Sequence, residues 1–120
     1  MEYAAPVWHP GLTCQQSAAL ERIQKRALRI ILGSDYTCYA EALCRLNICT
    51  LKSRRELLCL KFAKSMFNSP TFRSWLPATR NEVHNRDLKR GLELSIPFAR
   101  YDRYKNSAIP YLSALLNTDL

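Results

Sequence analysis

The stretch "ALERIQKRALRIILG", residues 19–33, decides the fold prediction because its apolar residues recur every three or four positions. That period is typical of an amphipathic helix whose apolar stripe faces a core. The stripe comprises Leu20, Ile23, Ala27, Ile30 and Ile31. Thr13 and Gln16 have the spacing of a capping box, and Gly33 occupies the usual position just past a helix end. The sequence therefore predicts one long helix between these signals.

Basic residues form a second stripe on the same helix. Arg22, Lys25, Arg26 and Arg29 recur at helical spacing on the side away from the apolar stripe. Glu21 can pair with Lys25 one turn later, but no acidic residue lies between positions 22 and 29. Basic helix faces are most often simply solvated. The missing acids favour instead a face that binds a polyanion.

The composition is that of one small globular domain. The chain has 120 residues, 48% hydrophobic and 23% charged, which excludes the low-hydrophobicity, high-charge class of disordered chains. Its 18 Lys and Arg exceed its 10 Asp and Glu, for a formal net charge of +8. This excess predicts an anionic partner, either nucleic acid or an anionic lipid surface. Charge alone does not choose between them.

Two more helices are predicted before residue 70. The stretch "TCYAEALCRLNI", residues 37–48, predicts a short helix that breaks at Asn47. Its inward side chains would be Ala40, Leu43 and Cys44. Thr50 then has the position of a cap for a longer helix that continues to Asn68.

The last third of the chain predicts a connector, a loop and a final helix. Phe72 and Trp75 would fill a gap between helices. Residues 78–95 show no sustained period and predict an irregular polar loop. Helical spacing returns after Ser107, a plausible cap, with Pro110 tolerated in the first turn. The final apolar face comprises Ile109, Leu112, Leu115 and Leu116.

Together these segments predict an all-α fold, a small irregular bundle of about four helices with a long polar loop before the last helices. We expect a single helical domain or fragment over residues 1–120. Its parts would be a helical core at 1–76, an irregular basic loop at 77–97 and a C-terminal helical segment at 98–120.

The cysteines predict a reducing compartment. Their number is odd and no C-x-x-C pair occurs, so we expect reduced thiols that mostly fill the core of a cytoplasmic or nuclear protein. They are Cys14, Cys38, Cys44, Cys49 and Cys59. No apolar run is long enough for a transmembrane segment.

The sequence predicts no catalytic or metal site. Polymerase chemistry on two metal ions needs converging carboxylates, commonly an adjacent Asp pair, and no Asp-Asp occurs here. His9 and His84 match no common zinc spacing, and the 3 glycines form no phosphate loop. We therefore expect no enzyme activity, no metal, no cofactor and no small-molecule substrate.

The segment "FARYDRYKN", residues 98–106, interleaves cations with aromatic residues. Such a mixture can contact phosphate with the charges and stack on bases with the rings. The alternative is that the tyrosines pack on a neighbouring helix while the basic side chains extend into water. The candidate nucleic-acid contacts in this segment are Arg100, Arg103, Tyr104 and Lys105.

Four blocks of the sequence resemble a known family. They are "EYAAPVWHPGLT" (2–13), "LERIQKRALRIILG" (20–33), "ELLCLKFAKS" (56–65) and "RYKNSAIPYLSALLN" (103–117). Together they resemble the segment just after the polymerase core in the open reading frame of jockey-like non-LTR (LINE-type) retrotransposons. The first two blocks are the most specific, and residues 78–95 contribute almost nothing.

The resemblance implies a function for the basic stripe. In that family the parent protein carries an endonuclease and a reverse transcriptase, and this segment forms the thumb and a C-terminal helical extension. Arg22, Lys25, Arg26 and Arg29 would then contact the backbones of template RNA and primer DNA in target-primed reverse transcription. The palm with its catalytic aspartates is missing, so no polymerase activity is expected, and the chain would be a truncated or decayed copy.

Two other functions remain open from the sequence. The chain could be a structural or protein-interaction remnant without a ligand, self-associating through apolar surface around Tyr3, Val7 and Trp8 at a truncated N-terminus. Alternatively, the basic amphipathic helix could bind a membrane surface or a calmodulin-type partner.

Overall fold

The computed structural model describes residues 2–119 and is 68% helical, without a strand in that range. The predicted all-α fold is therefore confirmed. Four of its helices have eight or more residues: α2 (Cys14–Leu32), α3 (Tyr39–Leu46), α4 (Leu51–Asn68) and α8 (Ala108–Asp119). The shorter ones are α1 (Ala5–Trp8), α5 (Pro70–Arg73), α6 (Arg80–His84) and α7 (Asp102–Lys105).

The ends of α2 are the predicted ones. The backbone N–H of Gln16 donates to Thr13 Oγ1 at 3.2 Å, and that of Thr13 donates to Gln16 Oε1 at 2.9 Å. Both halves of the capping box are thus formed. At the other end Gly33 has φ of 53°, a backbone conformation that glycine adopts without strain.

The buried face of α2 is not the predicted one. Leu28 is its one buried residue, whereas Ile23, Ile30 and Ile31 are 54%, 74% and 67% exposed. The prediction that the isoleucine stripe faces a core is therefore wrong. The helix instead turns inward the side that carries Glu21, Gln24 and Leu28. On that side Glu21 and Gln24 both accept the backbone N–H of Leu51, which lies outside the helix.

Helices α3 and α4 begin and end as predicted. Asn47 ends α3 in the left-handed conformation with φ of 52°, which asparagine tolerates better than most residues. Thr50 Oγ1 accepts the backbone N–H of Ser53 at 3.2 Å and so caps α4. The inward side of α3 was predicted wrongly, since Ala42 is buried while Ala40 and Cys44 are exposed. An eight-residue helix offers too few positions to fix its inward face from periodicity.

The contacts divide the chain into two compact units. The first comprises Met1–Gly11 with Leu57–Leu120, and the second is Leu12–Glu56. The core of the first unit is formed by α4, α8 and the segments that join them, with Cys59, Ala63, Met66, Leu76, Leu94, Leu112 and Leu116 buried. Ile109 and Leu115 pack against that cluster, so the predicted apolar face of α8 is confirmed. The prediction of a single domain stays a prediction.

The second unit buries a charged side chain beside apolar ones. Its most buried residues are Leu28, Ala42 and Arg55, each 2% exposed. The guanidinium of Arg55 donates to Ser17 Oγ at 3.1 Å. A buried arginine needs such partners because desolvating its charge is costly.

The segment at 77–97 is more ordered than predicted. Thr79 and Glu82 form a second capping box, which starts the five-residue helix α6. The side chain of Asn117 bridges both backbone groups of Leu94, accepting at 2.8 Å and donating at 3.1 Å. The prediction of an irregular loop throughout is wrong here, because a helix of five residues is too short to show a period.

Several side chains predicted to be inside lie on the surface. Phe72 and Trp75 are 42% and 62% exposed and contact each other edge to face at 5.0 Å, so they fill no gap between helices. All five cysteines are free, as expected, but only Cys59 is buried. The prediction that the thiols mostly fill the core is therefore wrong.

Within residues 2–119, no helix combines the length and the apolar character that crossing a bilayer requires.

Candidate nucleic-acid interface

The four predicted cations of α2 share one side of the helix. Arg22, Arg26 and Arg29 are exposed and Lys25 is half-buried. At 1.5 Å of rise per residue, the seven steps from Arg22 to Arg29 cover roughly 10 Å of helix. The side chains therefore form a compact basic strip, which we call the α2 basic face.

No carboxylate of residues 2–119 neutralises the α2 basic face. Ion pairs in that range are formed by other cations, among them Arg45, Lys52, Lys64, Arg73, Arg80 and Arg90. Neither Arg22, Lys25, Arg26 nor Arg29 lies within ion-pair distance of an acidic group of the described chain. Their charges are thus available to an external anion.

Glu21, the acid expected to pair with Lys25, is engaged elsewhere. Its Oε1 accepts the phenol of Tyr39 and the backbone N–H of Leu51 at 3.2 Å. Its Oε2 is buried and has no hydrogen-bond partner among the described residues. The carboxylate therefore points into the second unit, and no ion pair forms with Lys25.

Aromatic rings hold two of the cations. Lys25 Nζ lies 4.9 Å from the centre of the Tyr39 ring, and the guanidinium of Arg29 lies 5.3 Å from that of Tyr36. A cation–π contact orients a charged group without neutralising it. Burial, followed by the hydrogen bond to Glu21, raises the pKa of Tyr39 well above its usual value, which keeps the phenol a donor.

Polar contacts fix the position of α2 within its unit. Gln24 Nε2 donates to the carbonyl of Cys49 at 3.1 Å, and its Oε1 accepts the backbone N–H of Leu51 at 3.1 Å. Gln24 and Glu21 thus bind the first turn of α4 from adjacent turns of α2. This anchoring leaves the basic side of the helix exposed.

The predicted tail contacts belong to the first unit. Arg100, Arg103 and Lys105 are exposed and pair with no carboxylate in the described part of the chain. Arg100 lies 6.0 Å from the centre of the Tyr101 ring. Tyr101 is 70% exposed and Tyr104 49%. Of the two interpretations of this segment, packing on a neighbouring helix does not hold for Tyr101.

Sequence reasoning missed one aromatic residue near the tail contacts. Trp75 follows the short helix α5 and lines a surface groove of about 370 Å³ together with Tyr104. A connector shows no periodicity that could distinguish an exposed tryptophan from a buried one. Only the unusual exposure of a large ring marks it as a candidate contact.

The described residues form no cluster of metal-binding side chains. No three His, Cys, Asp or Glu side chains of residues 2–119 come together in a way that could hold an ion. His9 is buried and contacts the ring of Tyr111 edge to face at 5.8 Å, so it serves as a packing residue.

Comparison of the chain with protein-family models, with curated proteins and with solved structures gives no significant match.

Proposed function

We propose that this chain is a noncatalytic nucleic-acid-binding segment whose α2 basic face contacts the phosphate backbone of RNA or DNA without sequence preference. The observation that carries the proposal is the set of Arg22, Lys25, Arg26 and Arg29, exposed or half-buried and without a carboxylate partner in residues 2–119. Phosphate contacts by such cations supply most of the affinity of nonspecific binding.

The size of the α2 basic face fits a nucleic-acid backbone. Phosphates repeat every 3.4 Å along the axis of one strand, so a strip of roughly 10 Å reaches about three of them. Arginine guanidinium groups, three of the four cations here, suit the geometry of phosphate oxygens. Arg100, Arg103, Tyr104 and Lys105 would add contacts from the tail segment.

We propose a biological setting from the resemblance to jockey-like non-LTR retrotransposons. In it, the chain corresponds to the thumb and helical extension that follow a reverse-transcriptase palm, and the anions are template RNA and primer DNA. The role that we propose for these residues is to bind those strands.

A binding assay with a charge-matched control tests the proposal. The test variant changes Arg22, Lys25, Arg26 and Arg29 to Gln. The control variant also changes four cations to Gln, at Arg45, Lys52, Lys64 and Arg80, each of which pairs with an acidic group of the chain itself. Both variants have the same net charge, so they differ only in where the charge is removed.

Gel shifts with a short duplex DNA and a short RNA at low salt give the readout. The proposal predicts that the test variant loses at least about tenfold in affinity for each strand type and the control variant much less. Equal losses would mean that only net charge matters. Absence of binding by the unaltered chain at low salt would end the proposal.

A second candidate function is protein interaction through exposed apolar surface. Tyr3 and Val7 are 94% and 69% exposed, and the isoleucines of α2 add a further apolar strip. In each unit, exposed apolar side chains of this kind are typical of surfaces that interact or associate. Size-exclusion chromatography that shows a monomer at all concentrations would argue against it.

A membrane surface is a third candidate, favoured by one observation. Ile23 and Ile30 are more than half exposed and lie beside Arg22 and Arg26, which is the arrangement of an interfacial amphipathic helix. Co-sedimentation with anionic and with zwitterionic vesicles tests it. Failure to bind either would remove it.

A further inference from the structure

Two aromatic rings from different segments line one groove on the surface of the first unit. Trp75 comes from the connector after α5 and Tyr104 from the short helix α7. The groove has a volume of about 370 Å³, and Pro77, Pro97, Ile109 and Pro110 contribute to its walls. Trp75 is 62% exposed and Tyr104 49%, so both rings present apolar surface to solvent.

A second concavity adjoins the groove at Tyr104. It has a volume of about 540 Å³ and is lined by Tyr101, Arg103, Tyr104 and Ser107. Arg103 is exposed and pairs with no carboxylate of residues 2–119. No acidic residue lines either concavity, and Asp102 is the one acid between positions 94 and 118.

This combination has the parts of a single-strand site. Exposed aromatic rings stack on unpaired bases of any sequence, while adjacent cations contact the phosphates. A duplex keeps its bases stacked on each other, so it can use the cations but not the rings. The three prolines in the walls have a fixed φ, which restricts the backbone around the groove.

We propose that the groove between Trp75 and Tyr104 binds an unpaired base of a single-stranded nucleic acid, with Arg103 on the flanking phosphate. This inference rests on the proposed function, because the same strand is the ligand. It adds that the chain prefers single strands to duplexes and that the preference resides in these two rings.

Oligonucleotides with and without bases separate the two contributions. The probes are a thymidine 12-mer and an abasic 12-mer with the same phosphates. The protein is the full chain carrying Trp8→Phe, in which Trp75 is the one remaining tryptophan. Its helical circular dichroism must match that of the unaltered chain.

We expect the thymidine strand to quench the fluorescence of Trp75 and the abasic strand to bind without quenching it. Trp75→Ala and Tyr104→Ala should each weaken binding of the thymidine strand by roughly 5- to 150-fold, the range of a lost stacking contact. Neither should change binding of the abasic strand by more than about twofold. Phe98→Ala is the matched control, because Phe98 is 94% exposed and lines neither concavity.

The outcomes distinguish this inference from the proposed function. If both strands bind equally well and the fluorescence of Trp75 is unchanged, the chain binds phosphates but the groove does not bind bases. If neither strand binds at low salt, the proposed function itself fails. Equal losses of affinity for the thymidine strand in Trp75→Ala and Phe98→Ala would also contradict the proposed site. The rings of the groove would then contribute no more to binding than an exposed ring outside it.

Discussion

Lys25 Nζ lies 4.9 Å from the centre of the Tyr39 ring, and the phenol of that ring donates to Glu21. Tyr39 thus contacts both the acid and the cation that the sequence predicts to pair with each other. The hydrogen bond directs the carboxylate inward, and the ring face directs the ammonium outward. The absence of an ion pair between Glu21 and Lys25 follows from this contact.

Replacing Tyr39 by Phe should lower the free energy of unfolding. The variant keeps the ring under Lys25 but removes the donor to the Glu21 carboxylate, and losing a hydrogen bond to a charged group costs about 1.5–3 kcal/mol. Urea unfolding at neutral pH measures it. Tyr36→Phe is the control, with an expected change within about 0.5 kcal/mol, because the Tyr36 ring serves Arg29 through its face.

Tyr39 also predicts a dependence of stability on alkaline pH. The pKa of Tyr39 is raised first by burial and second by the hydrogen bond to Glu21. The folded chain therefore holds the phenol proton more tightly than the unfolded chain does. The extra stability is complete below the pKa of an unfolded tyrosine, about 10, and is lost as the pH rises above it. The stability difference between the unaltered chain and Tyr39→Phe should therefore shrink above about pH 10. A constant difference would contradict this origin of the shift.

The orientation of α2 predicts effects of very different size when two of its apolar residues are replaced by alanine. Leu28 is 2% exposed and Ile30 74%. Leu28→Ala should cost about 2–4 kcal/mol, because it removes buried atoms and leaves a cavity. Ile30→Ala should stay within about 0.5 kcal/mol. Chemical denaturation measures the free energy of unfolding of both variants. A larger loss for Ile30→Ala than for Leu28→Ala would mean that the isoleucine stripe is the buried face.

Replacing Gly33, at the end of α2, by alanine should affect stability more than replacing Gly11. A Cβ added at Gly33 or at Gly11 meets no atom within 4 Å, so neither substitution causes a clash. Gly33 alone of the two has a positive φ, of 53°. Gly33→Ala should cost about 1–3 kcal/mol through backbone strain, and Gly11→Ala should be neutral or slightly stabilising. Thermal unfolding that lowers the melting temperature equally for both would argue against strain at Gly33.

Local signals explain which parts of the fold could be predicted from the sequence. The capping box at Thr13, the stop at Gly33, the break at Asn47 and the cap at Thr50 each depend on residues within one turn. All four are confirmed. The helical class follows from them, because each signal delimits a periodic segment.

The error about the buried face of α2 concerns contacts made over a long sequence separation. The inward side of α2 is set by the backbone N–H of Leu51, which lies 30 residues from Glu21. Hydrophobic periodicity ranks Ile30 above Glu21 as a core residue, and it cannot register a donor that becomes available only in the fold. The exposure of Trp75 was missed for another reason, because a connector shows no periodicity.

The residues of the candidate site could be predicted from the sequence, but whether they form ion pairs could not. The spacing of Arg22, Lys25, Arg26 and Arg29 is visible in the sequence, and so is the lack of acids between them. The sequence also offered Glu21 as a partner for Lys25. The structure removes that partner, which strengthens the physical case for an external anion.

The dependence of affinity on salt tests the central claim most directly. Each phosphate contact contributes about 0.7–0.9 to the slope of log affinity against log salt concentration. Fluorescence anisotropy with a labelled single strand, over a series of salt concentrations, gives this slope for the unaltered chain and the two charge-matched variants. We predict that glutamine at Arg22, Lys25, Arg26 and Arg29 lowers the slope by about 2 to 3 and that the control set lowers it by less than about 1. Equal slopes for the two variants would contradict the assignment of the α2 basic face to phosphate.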